Sequence, residues 1–287
     1  MANDRQTLRE SVADDLGIRA TATIGGTPTS THVSVPGLRN FFEREEPVVG
    51  AFAQIRNKAS GWRKVDSWDA VTDLLTVETA WSVTPVSGDT LEIYQHLTPD
   101  EINAAIDTAH SLLYFEDRIS TALVADQNLY SFASSTWLKR KGQVISVLLR
   151  GTYAGKIQEI PPGGYDLIEE DDAVSLWLHQ VPTDVTDISL VVVARHYYEP
   201  FASDAATTTC PWQLLKAQVA VEVIQRIWSV IGSEKAKQLF GMELALTEKR
   251  LNELKQRWLP KLDARDVVPA EPRVGPEFAI YPSEWEW

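Results

Sequence analysis

One cysteine, Cys210, stands in 287 residues. No intrachain disulfide can form, and no cysteine-based zinc or iron–sulfur site can be assembled. Long apolar runs are also missing. Stretches such as 188–194 are far shorter than the ~20 residues needed to cross a bilayer. The opening MANDRQTLRE is polar and charged and lacks the apolar core of a secretory signal, so a cytoplasmic origin is expected. Basic residues are outnumbered, 27 Lys and Arg against 40 Asp and Glu, which leaves a net charge of −13. A uniformly acidic protein does not grip phosphates, which disfavours a default nucleic-acid binder. Neither hydrophobic content (44%) nor charged content (23%) is depleted, which excludes wholesale disorder. The length allows one large domain or two to three small ones.

Catalytic patterns are equally scarce. The five histidines, His32, His96, His110, His179 and His196, include no pair at the i, i+4 spacing of a helical metal site. Gly25-Gly26-Thr27-Pro28-Thr29-Ser30 lacks the Lys-Ser/Thr pair of a phosphate loop and reads as a turn. Cys210 precedes a helix start, where a thiolate is favoured, but a nucleophile also needs a base; a capping role is the plainer reading. Glu169-Glu170-Asp171-Asp172 lacks the ligand spacing and glycine of a calcium loop and reads as an acidic turn. No catalytic, cofactor or metal residue is assigned, and an enzyme is not expected. The ten tryptophans read as β-core packing, with an aromatic platform for sugars as the functional alternative.

What is present is an alternation of periods. Leu8, Val12 and Leu16 recur every four residues and Gly17 follows, so residues 1–18 are expected to be helical. Short strands with turn punctuation fill 19–95, including 65–68, 74–77 and 90–94. Thr98-Pro99-Asp100-Glu101 is a capping box with Pro at the first helical position. Ile102, Ala105, Ile106, Ala109, Leu112 and Leu113 then make one apolar stripe, predicting a helix over 98–115. Strands are expected again at 144–149, 165–168, 174–178 and 188–197, separated by the turns 161–164 and 181–184, which suggests a sandwich or barrel. Leu215, Val219, Val223, Ile227 and Ile231 mark a further helix that opens at Cys210-Pro211 and ends at Gly232. Ser233 caps a second, carrying Leu239, Phe240, Leu251, Leu254 and Trp258 up to Pro260;.

The predicted fold class is therefore α+β, with a small β domain, a β-sandwich-like middle, a C-terminal helical hairpin and an extended C-terminal arm. The expected segments are 1–97 (N-terminal helix plus small β domain), 98–118 (linking helix), 119–209 (β-rich domain), 210–259 (hairpin) and 260–287 (arm). The hairpin holds eight Lys and Arg against five Asp and Glu, while the remainder of the chain is −16. A basic element that docks on an acidic neighbour is one reading, and two solvated faces of opposite sign the other. Lys249, Arg250, Lys255 and Arg257 are the candidate partner-binding cations. In the arm, five prolines break regular structure while Phe278, Ile280, Tyr281, Trp285 and Trp287 persist; Tyr281, Trp285 and Trp287 are the candidate anchors for a neighbour.

Taken in order, the passages SGDTLEIYQHLTPDEINAAIDTAHSLL, GQVISVLLR, GGYDLIEEDDAVSLWL, ISLVVVARHYYEPF and SDAATTTCPWQLLKAQVAVEVI resemble the neck proteins of tailed bacteriophages, the head-to-tail connectors at the portal exit. The resemblance runs over residues 5–260 and is most specific at Gly88–Ala109 and Ala206–Val219. The basic hairpin and the arm depart from it. It implies a virion structural protein, assembled in the host cytoplasm, that forms a ring with itself, usually twelve-fold. Its partners would be the portal protein and a downstream tail or neck protein. Genomic DNA would pass through its channel without sequence-specific binding, and no membrane or cofactor would be involved. The competing class is a carbohydrate-binding β-sandwich module of a virion surface or fibre component.

Overall fold

A computed structural model describes residues 4–42, 48–56, 58, 61–151, 157–180, 185 and 187–258. They form an α+β fold whose strands pair antiparallel throughout. The chain divides into two compact units, 1–112 with 199–256, and 113–198 with 257–287.

In the first unit, α1 (Arg5–Asp15) begins where Asp4 accepts a hydrogen bond from the Thr7 N–H. It ends before Gly17, whose φ of 65° suits a residue without Cβ;. Six strands follow: β1 (Arg19–Thr23), β2 (His32–Ser34), β3 (Phe52–Ile55), β4 (Trp62–Asp69), β5 (Leu74–Val77) and β6 (Thr90–Tyr94). They order as β1-β6-β3-β4-β5-β2. A bridge from Gly25 to Ser34 joins the two sheet edges, so the sheet curls around one core. Alternate residues such as Ala20, Ala22, Val33, Ala53, Ile55, Leu75, Leu91 and Ile93 fill it, with Trp68 and Trp81.

The helix α2 (Pro99–Leu112) starts at the predicted capping box. Glu101 accepts from the Thr98 N–H at 2.7 Å, and the Glu101 N–H donates to the Thr98 hydroxyl at 3.1 Å. Ile102, Ala105, Ile106 and Ala109 are buried, but Leu112 is exposed. The helix is also shorter than predicted, because Tyr114 already pairs with Tyr197 in a strand. The helix α2 packs on α1 and on α3 (Trp212–Ile231). Pro211 is the N-cap of α3 rather than its first residue. Gly232, at φ 85°, turns the chain into α4 (Ser233–Trp258). The expected partition into sequential segments therefore differs from the compact units. Residues 98–112, 199–209 and most of the hairpin join α1 and the N-terminal strands in the first unit, where α2 and α3 pack on α1 and on each other.

A buried charge network ties this unit together. The Arg19 guanidinium donates to Glu92 at 2.8 Å and to Asp14 at 2.9 Å, and Glu92 also accepts from the Tyr94 hydroxyl at 3.0 Å. Glu92 is 1% exposed. Burial, with Glu92 beside it, pushes the Tyr94 hydroxyl well up. Arg9, also buried, donates to Asn103 and Asp204 at 2.9 Å. Arg5 reaches Asp204 at 2.8 Å and Asp107 at 3.0 Å. Burial opposes the charge on Asp204, yet Arg9 and Arg5 hold its carboxyl below the usual range;.

The second unit holds two sheets. β7 (Tyr114–Ala122), β9 (Val144–Gly151), β10 (Ile157–Ile160) and β13 (Ile188–Tyr197) order as β10-β9-β13-β7. β8 (Leu129–Ser131), β11 (Tyr165–Glu170) and β12 (Ala173–Leu178) order as β11-β12-β8. One core, including Leu138, Val147, Leu149, Leu176, Leu178, Leu190 and Val192, draws on both sheets, which makes a sandwich. Leu148, Val191 and Val193, on the opposite side of the four-stranded sheet, are buried as well. That explains why β13 reads as a continuous apolar run rather than an alternation. The acidic turn is a two-residue hairpin loop: Asp171 and Asp172 have φ 50° and 58°, and Glu170 pairs with Ala173;. The predicted turn at 181–184 lies outside the described residues.

Two tests follow from this packing. Ile106→Asp places an unpaired carboxylate where the side chain is fully buried and is expected to abolish cooperative folding, read by near-UV circular dichroism and thermal unfolding. Asp204→Asn tests the pH response. The folded carboxyl binds its proton less tightly than the unfolded one, so its stabilisation is complete above the ordinary aspartate value of about 4 and is lost as pH falls through and below it. The urea midpoint of the native chain is expected to fall more between pH 6 and pH 3 than that of the variant.

Candidate functional site

The residues that could carry chemistry are dispersed. His32 sits with Thr29 and Thr31, and His110 Nε2 lies 2.7 Å from the Thr208 hydroxyl. His179 meets Asp166 at 2.9 Å and His196 meets Asp117 at 3.2 Å. His96 packs edge-on to Phe240, and burial and then Lys235 lower its pKa, which favours the neutral ring. Cys210 is buried, its N–H donating to Thr208. Among the described residues, no group of three or more His, Cys, Asp or Glu could hold a metal ion. Nor do Trp62, Trp68, Trp81, Trp137 and Trp177 gather into a platform. Trp68 and Trp81 are core, Trp62 meets Phe52 edge-on, Trp137 stacks on His196, and Trp177 stands exposed beside Leu129 in the sheet.

Among the described residues, α4 combines exposed apolar and basic side chains. Its inward face buries Ala236, Phe240, Leu244, Leu251 and Leu254. A second apolar stripe, Leu239, Met242 and Leu246, is 54%, 78% and 61% exposed. Its spacing of three and four places it on one side of the helix, ~130° from the buried face at ~100° per residue. The six basic residues of α4, Lys235, Lys237, Lys249, Arg250, Lys255 and Arg257, make no salt bridge among the described residues. Arg5, Arg9, Arg19, Arg39, Arg56, Lys58, Lys64 and Lys216 are ion-paired, whereas Arg63, Arg118, Lys139, Arg140, Lys141, Arg150, Arg195 and Arg226 resemble the cations of α4 in forming no salt bridge among the described residues. Beside the stripe, α1, α3 and α4 enclose a groove of about 360 Å³. Val12, Leu16, Trp212, Ala217 and Ala220 give it apolar walls; Asp15, Lys216, Glu243 and Arg250 make it charged. Lys216 is held by Asp15 at 2.6 Å, while Arg250 forms no ion pair among the described residues.

Of the candidate cations, Lys249, Arg250 and Arg257 are exposed and Lys255 is half-buried. They do not form one patch. Helical geometry puts Arg250 and Arg257 within ~20° of each other, with Lys249 ~100° to one side and Lys255 ~140° to the other. Tyr281, Trp285 and Trp287 lie outside the described residues. Reading the sequence assigned Leu239 to the same apolar set as Phe240 and did not single out Met242 or Leu246. The signal was available, since 239, 242 and 246 repeat alongside 240, 244 and 251 as a second stripe. Comparison of the sequence with protein-family models and with curated proteins finds no match.

Because these cations form no ion pair among the described residues, Lys249→Ala/Arg250→Ala is expected to leave the thermal midpoint within about 1 °C, since unpaired surface changes stay near ±0.5 kcal/mol. Glu92→Ala, which removes the buried acceptor shared by Arg19 and the Tyr94 hydroxyl and leaves Arg19 with Asp14 and Glu10, is expected to cost about 1–3 kcal/mol in the same scan.

Proposed function

We propose that this chain is a head-to-tail adaptor of a tailed bacteriophage, a structural virion protein that forms a ring, joins the portal to the tail and lines part of the DNA exit channel. The observation that carries the reading is α4. It presents an exposed apolar stripe and six cations that form no ion pair among the described residues, in a chain of net charge −13. Such a face suits a macromolecular neighbour that is acidic and partly apolar, and an acidic copy of the same chain or an acidic portal has that character. The resemblance at Gly88–Ala109 and Ala206–Val219 adds the identity of the assembly.

The charge distribution fits the role. A channel wall of like sign to the phosphate backbone repels DNA and lets it slide, where a basic wall would retain it. The cations of α4 are then available for contacts between proteins, where opposite charge speeds encounter and fixes register. Function in this reading needs no covalent step; it needs two rigid units and a surface that recognises a neighbour.

Sedimentation velocity and negative-stain imaging of the purified chain test this reading. A closed multi-subunit ring is expected at low salt, with weaker association as ionic strength rises. Lys249→Ala/Arg250→Ala is expected to weaken assembly about tenfold or more and to flatten that salt dependence. A chain that stays monomeric at all concentrations, alone and with portal-bearing heads, overturns the proposal.

A further inference from the structure

We infer that two copies of this chain meet head to tail: the turn between β4 and β5 of one copy, tipped by Val71, seats in the groove among α1, α3 and α4 of the next, against the stripe of Leu239, Met242 and Leu246. The inference names the contact within the proposed assembly and so rests on that reading.

The turn supplies a knob. Val71 is 83% exposed, more than any other large apolar side chain among the described residues, and Leu74 beside it is exposed as well. The backbone that carries Val71 is braced on both sides. The Asp69 carboxylate accepts from the Val71 N–H and from the Thr72 hydroxyl, each at 2.7 Å. Arg39 donates to the Val71 carbonyl at 2.6 Å and to Asp73 at 2.7 Å. A turn held in this way has little freedom left to lose on binding. Asp66 and Asp69 are exposed and form no salt bridge among the described residues. Hydrogen bonds from the Thr72 hydroxyl and then the Val71 N–H hold the Asp69 carboxyl below its usual range, which keeps it charged;. The tip is therefore an apolar side chain beside fixed negative charge.

The groove has the complementary character. Leu16, Trp212 and Ala220 are among its walls, and its volume of about 360 Å³ is at the small end of the range for binding pockets, room for a few side chains. Glu243, Thr247 and Arg250 line it from α4. Helical geometry puts their mean direction ~70° from the stripe, so Leu239, Met242 and Leu246 form its outer rim. Lys235, Lys249 and Arg250 fall within ~60° of the stripe's centre, against one carboxylate, Glu253; none of these three cations forms a salt bridge among the described residues. An apolar tip beside carboxylates thus matches an apolar rim beside cations. Both surfaces belong to the first unit. Val71 and Met242, at 83% and 78% exposed, do not cover each other within one subunit, so a second copy is what brings them together. The contact is heterologous, each copy giving its turn to one neighbour and its groove to another. Such a contact closes into a ring when the rotation per subunit closes.

Sedimentation velocity of the full-length chain and of two variants tests the inference. Val71→Asp disables the turn, and Met242→Glu/Leu246→Glu disables the rim of the groove; all three positions are so exposed that the fold tolerates the change;. Each variant alone is expected to associate about tenfold or more weakly than the native chain. Mixed in equal amounts, the two are expected to form a dimer that does not grow, because one intact turn and one intact groove remain between them. Variants weakened by misfolding give no such complementation. If either variant assembles as the native chain does, the inference is overturned while the adaptor reading stands on another contact. Weakened variants that fail to pair in the mixture overturn it too, since the two surfaces then do not meet each other. A native chain that stays monomeric, alone and with portal-bearing heads, overturns the adaptor reading and the inference together.

Discussion

The first unit depends on a carboxylate that water cannot reach. Glu92 lies on a central strand, β6, and meets Arg19 on β1 and the Tyr94 hydroxyl two residues along. Removing two charges from water costs several kcal/mol each, and their attraction offsets this only when hydrogen bonds saturate both groups. Here Arg19 reaches Glu92 and Asp14, so strand β1, strand β6 and the end of α1 are fixed by one guanidinium. Arg56 extends the chain of charges by donating to Glu10 of α1 at 2.6 Å. Arg9 and Arg5 repeat the device on the other side of α1, gathering Asn103 and Asp107 of α2 and Asp204 of the segment before α3. Apolar burial alone is non-directional; directional guanidinium contacts, each shared between partners on different elements, tie α1 to the sheet through Arg19 and to α2 through Arg5 and Arg9. They also explain why the unit is discontinuous, since Asp204 returns to residues about two hundred positions earlier in the sequence.

The second unit is organised differently. Its sandwich core is apolar on both contributing sheets, and its sharpest local feature is the hairpin turn at Asp171-Asp172. A type I′ geometry needs positive φ at both central residues, which Asp tolerates better than most. The turn matches the right-handed twist of β11 and β12 and so sets their register. An acidic cluster that could pass for a cation site is thus accounted for by backbone conformation. In the first unit acids are spent on long-range pairing; in the second this cluster serves the local backbone.

Elements encoded locally were legible in the sequence. The capping box at Thr98, the strands at 74–77, 90–94 and 188–197, and the stop at Gly232 depend on neighbours a few residues away, and the structure places each there. Elements that exist through distant pairing were not. Residues 114–122, YFEDRISTA, mix charge and aromatics without clean alternation, and become β7 because β13 supplies the whole hydrogen-bond ladder. A glutamate in a strand reads as solvent-facing, and nothing near Glu92 announces that Arg19 neutralises it. The same holds for the site. The excess of positive charge in the hairpin was countable, but which cations are paired and which are free is a property of the fold.

That division of the cations is the feature that links fold to surface. Eight Lys and Arg of the first unit are ion-paired, and the side chains of Arg9 and Arg19 are buried in those pairs. The six on α4 form no salt bridge among the described residues, although Glu234, Glu243, Glu248 and Glu253 share the helix; Arg63, Arg226 and the described Lys and Arg of the second unit form none either. Lone surface cations contribute little to stability, because solvation already satisfies them. Their value appears only when an acidic partner arrives, and the adjacent apolar stripe makes that partner's arrival a desolvating event that strengthens each charge pair. A helix that stabilised only its own unit would place Leu239, Met242 and Leu246 inward with Phe240 and Leu244. Carrying two apolar faces, one buried and one bordered by unpaired charge, α4 is shaped by recognition as much as by folding.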